Sequence, residues 1–126
     1  MTRDVLAERI GELADAVLAD RRWVRDDLSV SVLGMLLYGY AFGVGRVFMF
    51  LDVEDIDEAV LKCMTERVGA AAKWSDGLVA QAAASALDAA HHLGHHELIG
   101  VGHSYLGVED QNAILENIYK NIQIFR

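Results

Sequence analysis

The residues best suited to chemistry are the run His91-His92-Leu93-Gly94-His95-His96-Glu97, with His103 close behind. His91 and His95, and again His92 and His96, are four apart, a spacing that sets two imidazoles on one helical face. Such a pair chelates zinc if a third ligand, for instance Glu97 or His103, joins it. The plainer reading is the stronger one. Histidines in the last turn of a helix interact favourably with its negative end, and Gly94 as a C-cap breaks the helix between the members of each pair. On that reading no metal ligand is assigned and no cofactor is expected. Partly exposed imidazoles gain charge below about pH 6.5, which trims the net negative charge without implying a function.

Other catalytic patterns fail on spacing. Gly43-Val44-Gly45 has Phe48 where a third phosphate-loop glycine belongs, and Gly100-Val101-Gly102 has Tyr105 there. Both therefore read as turns or packing points and not as dinucleotide fingerprints. Ser104 follows His103 directly, but adjacent residues need not face each other, and no strained nucleophile elbow surrounds them. No catalytic residue is expected, and the chain does not read as an enzyme.

The densest charge is acidic: Asp52, Glu54, Asp55, Asp57 and Glu58 fall within seven residues. A calcium loop would need a glycine at its sixth position and an acidic ligand at its twelfth, where this run has Asp57 and Cys63. Two carboxylates suffice to satisfy a helix N-terminus, and the rest then project into solvent, where their mutual repulsion asks for a cationic partner. A concentrated negative patch speeds association with a basic protein, and buried aromatic contacts beside it support tight binding. The plainer alternative is a solvated helix start on an acidic protein. These five residues are the candidate partner-binding set, with Asp26-Asp27 and Glu109-Asp110 as sparser candidates.

The elements that must position these groups are helical. The chain has 126 residues, 53% hydrophobic and 24% charged, with a net charge of −8. This describes one folded domain spanning residues 1–126, apolar enough to escape disorder. It is expected to be all-α, a compact bundle of about five helices around an apolar central helix containing glycines. That central helix is the uncharged run from Leu28 to Gly45, punctuated by Gly34, Gly39, Gly43 and Gly45. Its length and its Gly39-x-x-x-Gly43 motif also fit a membrane span. Ser29, Ser31 and Arg46, and the amphipathic helices on either side, favour a buried central helix, whole or broken near Gly43.

In the first helix Val5, Leu6, Ile10, Leu13, Val17 and Leu18 share a face, while Arg3, Glu8, Glu12 and Asp15 lie elsewhere. A charged connection around Trp23 follows, its ring expected on the core edge. Asp55 and Glu58 have capping-box spacing ahead of a third helix buried at Ile56, Val60, Met64 and Val68. Ser75 or Asp76 caps an alanine-rich fourth helix through Leu78, Val79, Ala82, Ala83, Ala86 and Leu87, with Gly94 as its C-cap. Residues 94–107 read as an irregular connection, with room for a short helix at residues 97–99. Glu109 and Asp110 open a last helix buried at Ile114, Leu115, Ile118, Tyr119 and Ile122.

The single cysteine, Cys63, excludes an internal disulfide and fits a reducing compartment. The start Met1-Thr2-Arg3-Asp4 lacks a signal-type apolar core, so a cytoplasmic location is expected. Acidity disfavours nucleic acid and anionic membranes as direct partners. The basic cluster Arg21, Arg22 and Arg25 is offset by Asp20, Asp26 and Asp27.

In size, acidic segment at residues 52–58, glycine-containing apolar helix and terminal helix over residues 109–122, the chain resembles the small acidic helical immunity proteins of bacterial polymorphic and contact-dependent inhibition toxin systems. The likeness covers overall character, not a diagnostic motif. It implies a cytoplasmic inhibitor that binds a cognate toxin domain, often a basic nuclease, and blocks its active site or substrate path. No residue role carries over from that family, and the oligomeric state stays open. A histidine-cluster metal protein and a helical self-associating module are the alternative readings.

Overall fold

The structure, a computed structural model, describes residues 2–126, with side chains from Asp4 onward. Arg3, expected off the apolar face of the first helix, has its side chain outside the described residues. The order is α1 (Thr2–Ala19), α2 (Asp27–Gly43), α3 (Val53–Cys63), α4 (Ala72–Leu87), α5 (Leu93–Ser104) and α6 (Gln111–Phe125). No strand occurs among the described residues. The all-helical fold is as expected, with six helices in place of about five. The added one is α5, which lies in the stretch expected to be irregular.

Helix α2 is the axis of the bundle. It begins where the Asp26 carboxylate accepts from the Ser29 N–H at 2.8 Å, and it runs through a π turn, Val44–Phe48. The continuous helical stretch Asp27–Phe48 is long and apolar enough to cross a membrane, and most of it is buried inside this protein. Leu33, Met35, Leu36, Leu37, Tyr38 and Ala41 are all enclosed. Burying each large apolar side chain contributes roughly 1.5–3 kcal/mol, so covering α2 is the main force assembling the bundle. The helix is one piece, bent into wider turns after Gly43 and not broken there.

The most extensive packing is between α2 and α5. A Cβ added at Gly39 would fall on the Ile99 carbonyl, and one added at Gly102 would fall on the Leu36 carbonyl. The two backbones therefore touch through paired glycines. This contact explains why a glycine-rich segment is helical here: tertiary contact outweighs the roughly 1 kcal/mol propensity cost of each glycine.

In α1, Leu6, Ile10, Leu13 and Val17 are buried as expected, but Leu18 is half-buried and Val5 is 58% exposed. Trp23 packs against the core edge. The buried stripes of α3 with its following turn, and of α6, match expectation at every named residue. Helix α4 starts earlier than expected, at Ala72, after Ala71 and without a side-chain cap. Ser75, expected to cap it, is buried inside the helix instead. Helix α4 also ends at Leu87, leaving Gly94 in the first turn of α5 rather than at a C-cap.

Ion pairs tie the shell together. Arg67 joins Glu8 and Asp15 of α1, and Arg22 joins Asp20 and Glu116 while lying 4.4 Å over the Tyr119 ring. Arg25 donates to the Val68 and Gly69 carbonyls, and Arg126 pairs with Asp26. Much of the basic cluster seen in sequence thus serves the fold.

Candidate functional site

Two helices of this protein, α2 and α3, end in the same unusual way. After the π turn Met64–Val68, Gly69 adopts a left-handed conformation (φ 78°), and the next N–H, that of Ala70, returns to the Met64 carbonyl at 2.9 Å. After the π turn Val44–Phe48, the left-handed residue is Phe50 (φ 54°), and the Leu51 N–H returns to the Gly45 carbonyl at 2.9 Å. The two ends share one bond, from the N–H after a left-handed residue to the carbonyl six positions back, although Gly69 follows its π turn directly and Met49 stands between the other π turn and Phe50. In α3 that position is filled by glycine, the residue for which it has no steric cost. In α2 it is filled by an aromatic, at a cost of roughly 1–2 kcal/mol.

The fold covers little of the Phe50 ring in return. Phe50 is 87% exposed, Phe48 59% and Val47 49%, whereas Leu51 is tucked into the core. Arg46 braces this turn by donating to the Leu51 carbonyl at 3.2 Å. The end of the central helix therefore carries a braced apolar knob aimed at solvent. Nothing in the helical periodicity singles out Phe48 or Phe50, which lie beyond the uncharged run that ends at Gly45. Alternating phenylalanines directly ahead of an acidic run were the available signal.

The acidic segment begins two residues after Phe50. Asp52 is the N-cap of α3, accepting from the Asp55 N–H at 3.0 Å, so the cap lies three residues earlier than the Asp55–Glu58 spacing suggested. Asp57 turns inward and accepts from the hydroxyl of the fully buried Tyr38 at 2.6 Å. Burial raises the Asp57 carboxyl above the usual carboxylate range, and the Tyr38 hydrogen bond pulls it back only in part. Burial, reinforced by Asp57, drives the Tyr38 phenol well above its ordinary value. Of the expected set, Asp52 and Asp57 thus have work within the fold. Asp55 is half-buried, and Glu54 and Glu58 are exposed. Glu58 borders a hollow shared with Asp4, Lys62 and Asp76, while Asp52 and Glu54 follow the aromatic knob along the chain.

The histidines occupy the opposite end of the helix dipole from the one expected. His92 is the N-cap of α5, its Nδ1 accepting from the His95 N–H at 3.0 Å, and its ring stacks on His95 with centroids 3.5 Å apart. His91 Nε2 donates to Gln81 Oε1 at 2.9 Å, and His96 Nδ1 donates to the Ser85 carbonyl at 2.7 Å. Burial, followed by the neighbouring His92 and His91, lowers the His95 pKa. The positive end of α5 also disfavours imidazolium there, the reverse of the last-turn stabilisation the sequence suggested. Among the described residues no group of three or more His, Cys, Asp and Glu could hold a metal ion. His103 lies far along α5, against Gly43, and the Ser104 hydroxyl is spent on the Val101 carbonyl. Both glycine pairs once compared with phosphate loops lie in helical turns. Cys63 is buried, and that burial pushes its thiol up to about 12.

Comparison with known proteins gives no family model, no curated protein and no solved structure that matches this chain.

Proposed function

We propose that this protein is a non-enzymatic, acidic protein-binding inhibitor, an immunity-type protein of bacterial cytoplasm that neutralises a toxin domain, such as a basic nuclease, by direct binding. The observation that carries this reading is Phe50: an exposed aromatic held in a conformation that the equivalent turn of the same protein gives to glycine. Strained backbone conformations cluster at ligand clamps and contact sites, and at Phe50 the strain is matched by little folding benefit. An exposed aromatic knob beside carboxylates has the composition of an interface anchor: the ring fills an apolar pocket, and the charges steer a basic partner. The overall charge of −8 adds long-range attraction to a cationic surface.

The test is inhibition. Candidate basic toxin domains encoded beside the gene are expressed with and without this chain, and growth rescue is scored for wild type and for Phe50→Asn. Rescue by wild type that is lost in a folded Phe50→Asn protein supports the proposal. Rescue by both overturns the role of the knob, and no rescue by either overturns the inhibitor reading.

Exposed apolar side chains at the start of α5 and the end of α6 favour self-association as another use of the fold. Leu93 is 60% exposed, Ile124 66% and Phe125 40%. The position of Phe125 against Gly94 brings the start of α5 and the end of α6 together. Sedimentation equilibrium separates the cases, since self-association gives a mass that rises with concentration and Leu93→Ser reverses it.

A further inference from the structure

A cleft of about 780 Å³ lies between α1, α2 and the entrance to α6, and none of its lining residues belongs to the Phe50 knob. We propose that this cleft binds a cationic amphipathic segment of a protein. Its walls mix charged groups with apolar ones that are left exposed. Val5 of α1 is 58% exposed and Val108 is 41% exposed, and Tyr40 of α2, which lines the same cleft, is only half-buried. Around these run Glu8 and Glu12 from α1 and Glu109 from the approach to α6.

Three glutamates face one cation, Arg9, among the lining residues. Glu8 is already paired with Arg67 at 2.7 Å. Glu12 and Glu109 have no ion-pair or hydrogen-bond partner among the described residues, although they come from different elements and border the same cleft. Apolar side chains left uncovered beside carboxylates left unpaired are complementary to one chemistry, a segment carrying lysine or arginine on one side and aliphatic groups on the other. A lysine or arginine reaches the carboxylates with its head while its methylene stem covers Tyr40. The cleft falls in the size range of recognition sites, and its open side suits a stretch of chain better than an enclosed small molecule. Arg9 sets a specific expectation, because it is the one lining group that opposes a cation.

The experiment uses the whole isotopically labelled protein and an acetylated leucine–lysine amphipathic peptide, with a leucine–glutamate peptide as control, followed by amide chemical shifts at low salt. Shifts confined to residues 5–13, 40 and 106–114, for the lysine peptide only, are expected. Combined Glu12→Lys and Glu109→Lys should weaken binding at least tenfold, and Arg9→Glu should strengthen it several-fold. If the double reversal melts early, Glu12→Gln with Glu109→Gln carries the same test. Shifts centred elsewhere, or affinities indifferent to these charges, overturn the proposal. Because the cleft and the knob share no residue, Phe50→Asn should leave peptide binding unchanged, so failure of one site is distinguishable from failure of the other.

Discussion

Replacing Phe50 by asparagine should make the free protein more stable while removing its proposed contact residue. Asparagine tolerates the left-handed region that phenylalanine occupies here at a cost of roughly 1–2 kcal/mol. The ring returns little: at 87% exposure about one eighth of its surface is covered, so its burial contributes only about 0.3 kcal/mol on the scale for a fully buried phenylalanine. The expected net gain is therefore about 1 kcal/mol. Urea unfolding should show the midpoint rising by about 0.5–0.7 M for a slope near 1.5–2 kcal/mol/M. Phe50→Ala, whose Cβ meets the same steric cost as phenylalanine, should gain nothing. Toward the partner both variants should lose at least about 2 kcal/mol, roughly thirtyfold in affinity, as expected for a central aromatic anchor. A midpoint for Phe50→Asn that falls below wild type would refute the reasoning, because the ring would then be contributing to the fold.

The glycines of α5 should respond with opposite signs: Gly100→Ala, where a Cβ meets nothing, should add about 0.5–1 kcal/mol. Gly102→Ala, which drives into the Leu36 carbonyl, should cost about 3 kcal/mol, and denaturant midpoints two residues apart read the difference. Tyr38→Phe removes the hydroxyl bonded to the half-buried Asp57 carboxylate and should cost about 1–3 kcal/mol in the same assay. Acid titration separates two kinds of carboxylate. Asp20, held by Arg22, and Asp26, held by the Ser29 N–H and by Arg126, sit at about 2, below the ordinary 3.8; the stability they contribute is present above that value and is lost as pH falls toward 2. Asp57 has the opposite sign: its raised pKa makes ionisation cost stability at neutral pH, so Asp57→Asn should be neutral or stabilising at pH 7. The benefit should vanish as wild-type Asp57 protonates on acidification, and unfolding free energies across pH 4–7 check it.

What the sequence made legible was periodic. The buried stripes of α3 and α6 could be named residue by residue because alternation at helical spacing is set by which face meets the core. The continuous burial of α2 was legible for a related reason, since charged neighbours on both sides left an uncharged run nowhere else to go. What stayed hidden depended on contacts between distant residues. Gly102 is tolerated in α5 because Leu36, far off in the chain, presses against it, so local propensity wrongly pointed to a loop. The histidines were placed at the wrong helix end for the same reason. The acidic segment was visible as charge, but not that Asp57 would turn inward to Tyr38, nor that a preceding phenylalanine would occupy a glycine's conformation. Only the backbone of the second helix terminus, compared with that of Gly69, exposes the anomaly at Phe50.

The central claim is that this chain binds a basic protein through Phe50 and the carboxylates that follow it. It is tested most directly by affinity capture from cells containing the surrounding genes, with wild type, Phe50→Asn and Glu54→Lys as parallel baits and retained proteins quantified by mass spectrometry. The account predicts one basic protein at near-equal amount on the wild-type bait, depleted at least tenfold on Phe50→Asn and reduced on Glu54→Lys. The same protein retained equally by all three baits, or a wild-type bait that comes through alone, would contradict it.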